Sequence, residues 1–425
     1  MDRPNILYII CHDLGRHLGC YGDATVPSPN LDRLAGQGVR FTNFYGASTP
    51  CSPARGCLMT GRYAHCQGLM GLAHIGWGYH PGTRTVAHDL AGAGYLTALI
   101  GFQHESPDVN KLGYQHIWRD STRSDLVADE TIRFLGSEAP RRQPFFLSVG
   151  ISEVHLPFDR DYYRFDDPAE VALPGFLPDN DETRRQMAMF HGAIRFMDQH
   201  VGRIIEALDR SDLAGSTVVV FTTDHGMAFP RAKSTLYDPG IGVAAIVRMP
   251  AAAGVGGTVC DDLISGVDLR PTLCELAGVA IAPEVQGRSF AAVLRGQGQH
   301  DARTEIFSEK NYHNHYDPCR CVRTQRYKYI RNFRDGPFAL LPTDIEMAFP
   351  ARCRRGDLNA PRPAEELYDL SADPWEENNL IDSPEHAQVR DQLRERLQAW
   401  MERTNDPVLE NPLIPYPPEQ FADRW

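Results

Sequence analysis

Positive charge is scarce in this chain. Its 43 lysines and arginines stand against 55 aspartates and glutamates, a formal charge of −12. No basic stripe is available to neutralise phosphates, which excludes nucleic acid as the expected partner. Long apolar runs are missing too. No stretch reaches the length needed to cross a bilayer, and Met1-Asp2-Arg3-Pro4-Asn5 leads directly into a strand without the apolar core of a secretory leader. The expectation is a cytoplasmic protein with no membrane association. Ten cysteines are present, but CxxC pairs are not. Cys319 and Cys321 stand too close together to suggest a zinc site, so reduced thiols are expected.

What is present suits a large core. Over 425 residues, 42% hydrophobic and 23% charged, the chain is long enough to divide into one large and one small domain. Strand and helix signals alternate. Asn5–Cys11, Tyr95–Gly101, Pro144–Gly150 and Thr217–Thr223 are near-continuous apolar runs that read as buried strands. Asn30–Gly38, Thr85–Ala93, Asp125–Leu135 and a long stretch from Asp181 to Leu208 have helical patterning. This order predicts a largely parallel sheet with helices on both faces and a ligand site at the carboxyl ends of the strands.

Two strand ends carry the residues for such a site. The first apolar run ends in His12-Asp13, and the run Val218-Val219-Val220-Phe221 ends in Thr222-Thr223-Asp224-His225-Gly226. Asp13 and Asp224 with His12 or His225 make a hard-cation site. Oxygen donors favour calcium or magnesium, and a histidine admits manganese. Each acid alone is equally well read as a helix cap or turn residue.

Cys51-Ser52-Pro53-Ala54-Arg55 runs directly into Gly56-Cys57-Leu58-Met59-Thr60-Gly61-Arg62. Pro53 suits the first position of a helix, which would set Arg55 one turn from residue 51 and turn backbone donors toward an anion. A buried structural cysteine ahead of a helix fits the same pattern. The CxPxR pentapeptide followed by LxTGR resembles the signature of type I sulfatases. The resemblance covers most of the chain: Arg3-Pro4-Asn5-Ile6-Leu7, Ser28-Pro29-Asn30-Leu31-Asp32-Arg33-Leu34-Ala35, Gly38-Val39-Arg40-Phe41-Thr42-Asn43, Thr223-Asp224-His225-Gly226, and Glu366-Leu367-Tyr368-Asp369-Leu370 with Asp373-Pro374. Phe229 to Gly240 is most similar to the heparan N-sulfatase (sulfamidase) branch of this group, within the alkaline phosphatase superfamily.

That resemblance implies a fold, a cofactor and a set of roles. It implies an α/β architecture, a large mainly parallel sheet between helices over residues 1–303, and a smaller domain over 304–425 with an antiparallel sheet. It implies that a maturation enzyme oxidises Cys51 to formylglycine. The hydrated aldehyde has two hydroxyls: one attacks sulfur and expels an alcohol or amine, and the other collapses to the carbonyl and ejects sulfate. Asp13, Asp224 and His225 match metal positions, with calcium favoured over manganese or magnesium. Arg55 and Lys233 match groups that hold the nucleophile and the sulfate. His155 matches the histidine that protonates the leaving group, and His104 the one that holds or deprotonates the hydrate.

Three positions depart from the pattern. His12 replaces the first of two aspartates, Phe102 replaces a lysine two residues before His104, and Gly242 replaces an arginine. His12 is thus a ligand or a lost carboxylate, and Arg55 and Lys233 are left to bind the anion.

Substrate walls are sought in Gly71-Leu72-Ala73-His74 and in the segment from Glu309 to Arg320, where His313, His315 and Arg320 are candidates. Both stretches are equally compatible with solvated loops. The leading reading is a sulfatase acting on a small anionic sulfated sugar. Alternatives are a phosphonate monoester or phosphodiester hydrolase on the same scaffold, a binding protein without turnover, or a phosphatase or mutase relative with an unmodified nucleophile. An oligomer is compatible with all of them.

Overall fold

The computed structural model of the protein describes residues 3–250, 254–297, 301–354, 356 and 358–412. Eight strands form the main sheet. From edge to edge they are His116–Trp118, Leu96–Gly101, Phe145–Gly150, Asn5–Cys11, Thr217–Thr223, Ala245–Arg248, Val39–Phe41 and Thr258–Cys260. Ala245–Arg248 runs antiparallel to both neighbours, and the other pairs are parallel.

The central strands are apolar on both sides because helices cover both sides. Leu7, Ile9 and Cys11 point into one core with Val219 and Phe221, beneath Met187, Phe190, Ile194 and Val201 of the helix Asp181–Asp209. Ile6, Tyr8 and Ile10 point the other way with Val218 and Val220, toward Leu90, Leu269 and Leu273. The strand period of two divides one apolar run between two cores. The long helix starts where Asn180 accepts the Thr183 amide at 3.0 Å, with Asp181 and Glu182 in its first turn.

Expected and observed boundaries agree closely for these elements, and one helix differs. The helix expected to begin at Pro53 begins at Cys51 and runs to Thr60, with Pro50 extended ahead of it. Proline is tolerated at its third position because the first amides of a helix have no intrahelical acceptor.

A second sheet is antiparallel, in the order Glu305–Tyr312, Tyr316–Thr324, Tyr327–Asn332 and Glu365–Asp369. Phe307, Val322, Tyr329 and Leu367 on one face meet Leu393, Leu397 and Trp400 of the helix Ala387–Arg403. Ile306, Cys321, Ile330 and Tyr368 on the other meet Tyr45, Leu236 and Ile241 of the preceding part. Buried charges cross the same boundary: Lys328 lies 2.7 Å and Arg323 3.0 Å from Asp238, while within the second part Arg320 lies 2.5 Å from Asp406. Between Asn332 and Glu365 the chain returns over the main sheet through a short helix, Thr343–Ala348. Among the described residues no helix is long and apolar enough to cross a membrane.

Candidate active site

Register assembles the site. Cys11 pairs with Thr223, Ile10 with Gly150, and Gly150 with Gly101, so four strands end at one level. The segments that follow carry His12-Asp13, Asp224-His225, His155 and His104. A Cβ on Gly226 would lie 1.9 Å from the Pro239 carbonyl oxygen, which explains the glycine after Asp224-His225.

The two acids lock their own turns. Asp224 Oδ1 accepts the amides of Asp13 (3.0 Å) and His225 (2.9 Å). Asp13 takes φ 55°, the left-handed region that aspartate tolerates better than most residues. Burial would raise both carboxyls. At Asp13 Lys233 together with His12, His155 and His225 outweighs it, and at Asp224 His12, His225 and Arg55 do, so both are held below the usual carboxylate range.

Cys51 is the first residue of its helix and only 2% exposed, with Sγ 3.2 Å from His225 Nε2. Burial pushes its thiol pKa well up, against the opposing pull of Lys233. An unmodified thiol here stays protonated and is a poor nucleophile. Arg55, one turn on, is fully buried: Nε donates to Asp224 Oδ2 and Nη2 to the Cys11 carbonyl, each at 3.0 Å. Its guanidinium lies 4.8 Å over the ring of Phe102, the residue in the expected lysine position. Nη1 is buried without a partner among the described residues, which leaves one nitrogen of Arg55 for an anion.

Lys233 Nζ donates to Asp13 Oδ2 and to Asp344 Oδ2, both at 2.6 Å, and lies 3.1 Å from His155 Nε2. Burial works against its charge, but Asp13 and Asp344 outweigh it and hold the ammonium. His155 Nδ1 donates to the Leu156 carbonyl at 2.8 Å, leaving Nε2 as the acceptor toward Lys233. His104 Nε2 is 2.9 Å from His74 Nδ1, their rings stacked within 8°. Ser52 Oγ accepts the Ala73 amide at 3.0 Å, which brings His74 to this edge.

The donors fit a divalent cation. One ligand atom from each of His12, Asp13, Cys51, Asp224 and His225 lies within 4.8 Å of all the others. His225 Nδ1 donates to the Gly226 carbonyl at 3.0 Å, so its Nε2 lone pair faces Asp13 Oδ1 at 3.1 Å. Two acceptors in contact repel unless a cation lies between them, and a backbone-oriented imidazole is the usual form of a histidine ligand. His12 Nδ1 stands 2.6 Å from Asp13 Oδ1 and 3.3 Å from Asp224 Oδ2. A second group, Asp13, His155 and Asp344, is already served by the Lys233 ammonium.

The structure thus gathers Cys51, Arg55, Lys233, His155, His12, Asp13, Asp224 and His225 in one buried cluster, with His104 and His74 beside it. His313 is 8% exposed and close enough to feel the charges of Lys233 and Asp344. Arg320 is a correction: fully buried, it donates to both oxygens of Asp406 and lies 3.7 Å from Glu309, so none of it is free for substrate. His315 is exposed near the hairpin tip and joins none of these groups through a described side-chain contact. The residue missed was Asp344. No motif surrounds it, and 111 positions separate it from Lys233.

Residues 4–279 match the family described as sulfatase, and residues 225–341 match the C-terminal part of N-sulphoglucosamine sulphohydrolase. An ulvan-active sulfatase of Formosa agariphila is 28% identical, with 95% of this chain and 76% of the relative covered. Human N-sulphoglucosamine sulphohydrolase is 26% identical, with 97% and 94% covered. The solved phosphonate monoester hydrolase of Agrobacterium radiobacter has a TM-score of 0.75 at 21% identity, over 96% of this chain and 97% of that one, a likeness of fold. A match running from the first strand past the last strand of the main sheet places the chain in the sulfatase family.

Proposed function

We propose that this protein hydrolyses a sulfate ester or sulfamate on a sugar, with a formylglycine made from Cys51 by a maturation enzyme and a divalent cation held by Asp13, Asp224, His225 and His12. The observation that carries this is the convergence of Cys51, at a helix N-terminus, with Lys233 and both strand-end acids in one buried cluster. The names of the relatives, an ulvan-active sulfatase and an N-sulphoglucosamine sulphohydrolase, favour a sulfated sugar.

The matured residue supplies the geminal-diol nucleophile, and the cation supplies charge stabilisation for the anion. The remaining work belongs to side chains. Lys233 and Arg55 Nη1 receive sulfate oxygens, with the first amides of the Cys51–Thr60 helix behind them. His155, half-buried with Nε2 accepting from the Lys233 ammonium, passes a proton from that ammonium to the leaving group. His104 takes the proton of the hydrate and hands it toward exposed His74. Calcium, manganese and magnesium are the candidate cations; the two imidazoles among the donors suit manganese well, whereas calcium takes mostly oxygen ligands.

A second reading is phosphonate monoester hydrolysis. Phe102 stands in the expected lysine position, so the pocket departs there from the sulfatase pattern; a phosphonate monoester is a monoanion like a sulfate ester, and the fold is shared with a phosphonate monoester hydrolase. Matured, metal-loaded protein assayed on aryl sulfate, sulfated sugar and aryl phosphonate separates the two. Faster turnover of sulfates supports the first reading, and faster turnover of the phosphonate overturns it.

A further inference from the structure

A carboxylate beside an anion pocket calls for an explanation. Asp344 comes from the helix Thr343–Ala348 and uses Oδ2 on Lys233, while its Oδ1 is buried with no partner among the described residues. His313 presents a second such atom. Its Nδ1 lies 2.7 Å from Asn314 Oδ1, which also accepts the Thr343 amide at 2.9 Å, so one side chain fixes both the imidazole and the start of the helix. Nδ1 is therefore the protonated nitrogen and Nε2 the acceptor, buried and without a partner among the described residues. Burial lowers the His313 pKa to about 3, so the ring is neutral.

The segment that carries Asp344 is anchored. The ring of Phe349 packs 4.9 Å from that of Phe229, Asn180 Nδ2 donates to the Arg352 carbonyl at 2.8 Å, and Arg352 lies 3.2 Å from Glu182. Two acceptors are thus held at the sulfate pocket with nothing to accept from. They repel sulfate oxygens and match N–H or O–H donors, and a site built for donors discriminates strongly against a ligand that lacks them.

We propose that Asp344 Oδ1 and His313 Nε2 read hydroxyl or amino hydrogens next to the sulfate-bearing atom, and so select a sugar over a plain aryl sulfate. The proposal rests on the sulfatase reading.

The test compares kcat/KM for N-sulfoglucosamine and for 4-nitrophenyl sulfate in matured, metal-loaded wild type, Asp344→Ala, Asp344→Asn and His313→Ala. The expected result is a fall at least tenfold greater for the sugar in both alanine variants, with Asp344→Asn less affected because it keeps an acceptor oxygen. Equal falls on both substrates would mean that Asp344 acts only through Lys233, and a faster sugar reaction would make it an obstruction; either overturns the proposal. Calorimetric binding of N-sulfoglucosamine to Cys51→Ala protein, with and without Asp344→Ala, reads the contact without turnover. A tenfold or greater weakening is expected, and unchanged or undetectable binding in the Cys51→Ala parent overturns it. Aldehyde-bearing wild type that turns over neither sulfate while still binding the sugar through Asp344 would overturn the sulfatase reading alone.

Discussion

The Lys233 ammonium bridges Asp13 and Asp344, 2.6 Å from an oxygen of each. One of these carboxylates belongs to the strand-end cluster and the other to a helix in the C-terminal half, so a single charge joins the strand-end acids to the returning segment.

Lys233→Ala is expected to lower kcat/KM by roughly 10²–10³, the usual cost of losing one preorganised group that stabilises developing charge. Metal content should hold or rise, because the freed carboxylates turn toward a cation. His12→Ala should instead weaken metal binding by about 10–100-fold, as for loss of a group that orients or joins a metal's ligands. Elemental analysis alongside kinetics checks both; metal lost from Lys233→Ala but kept by His12→Ala would exchange their roles.

Cys51→Ala should abolish turnover and leave the melting temperature nearly unchanged, since it removes a single sulfur atom and its contact with His225. The matching measurement on wild type, made with an active maturation system, is the mass of the peptide containing residue 51. A free thiol there, or activity retained by the variant, would remove the aldehyde mechanism.

Stability should vary with pH through His65 and Glu309, paired at 2.9 Å. Burial works against the charge on His65, but Glu309, helped by Cys66, outweighs it and raises the pKa from 6.5 to about 10. That contribution is complete below pH 6.5 and is lost as pH rises through about 10. Burial likewise opposes the Glu309 carboxylate, and His65 with Arg320 lowers it from 4.5 to about 2, a contribution present above pH 4.5 and lost as pH falls through about 2. The pair therefore stabilises most between pH 4.5 and 6.5. Chemical denaturation from pH 6 to pH 10 should show a decline in wild type that His65→Gln flattens.

Arg320→Met is expected to cost about 3–5 kcal/mol, because Asp406 would be left as an unpaired buried charge. Thermal unfolding checks it. A normal melting temperature together with a raised KM would return Arg320 to the substrate site.

The parts readable from local pattern were those whose physics is local. Asn5–Cys11 and Thr217–Thr223 were recognisable as strands because a strand covered on both faces has apolar side chains throughout. The Cys51 motif was readable because helix start, Cys51 and Arg55 lie within one turn. Arg320 was misread because a basic residue in a polar, aromatic segment looks the same whether it faces solvent or a buried acid 86 positions away. Asp344 carried no signal, since its meaning depends on a lysine 111 positions earlier.

The chain's own chemistry settled the alternation of apolar strands and helices, the acids at two strand ends and the cysteine ahead of a helix, all set by neighbours a few residues apart. Folding decided which charges meet. Parallel register brought Asp13 beside Asp224, packing of the second sheet sealed Arg320 against Asp406, and the returning segment laid Asp344 on Lys233. These are pairings across 80 to more than 200 positions, and electrostatic and hydrogen-bond energies depend on distance in space, which only the closed fold assigns.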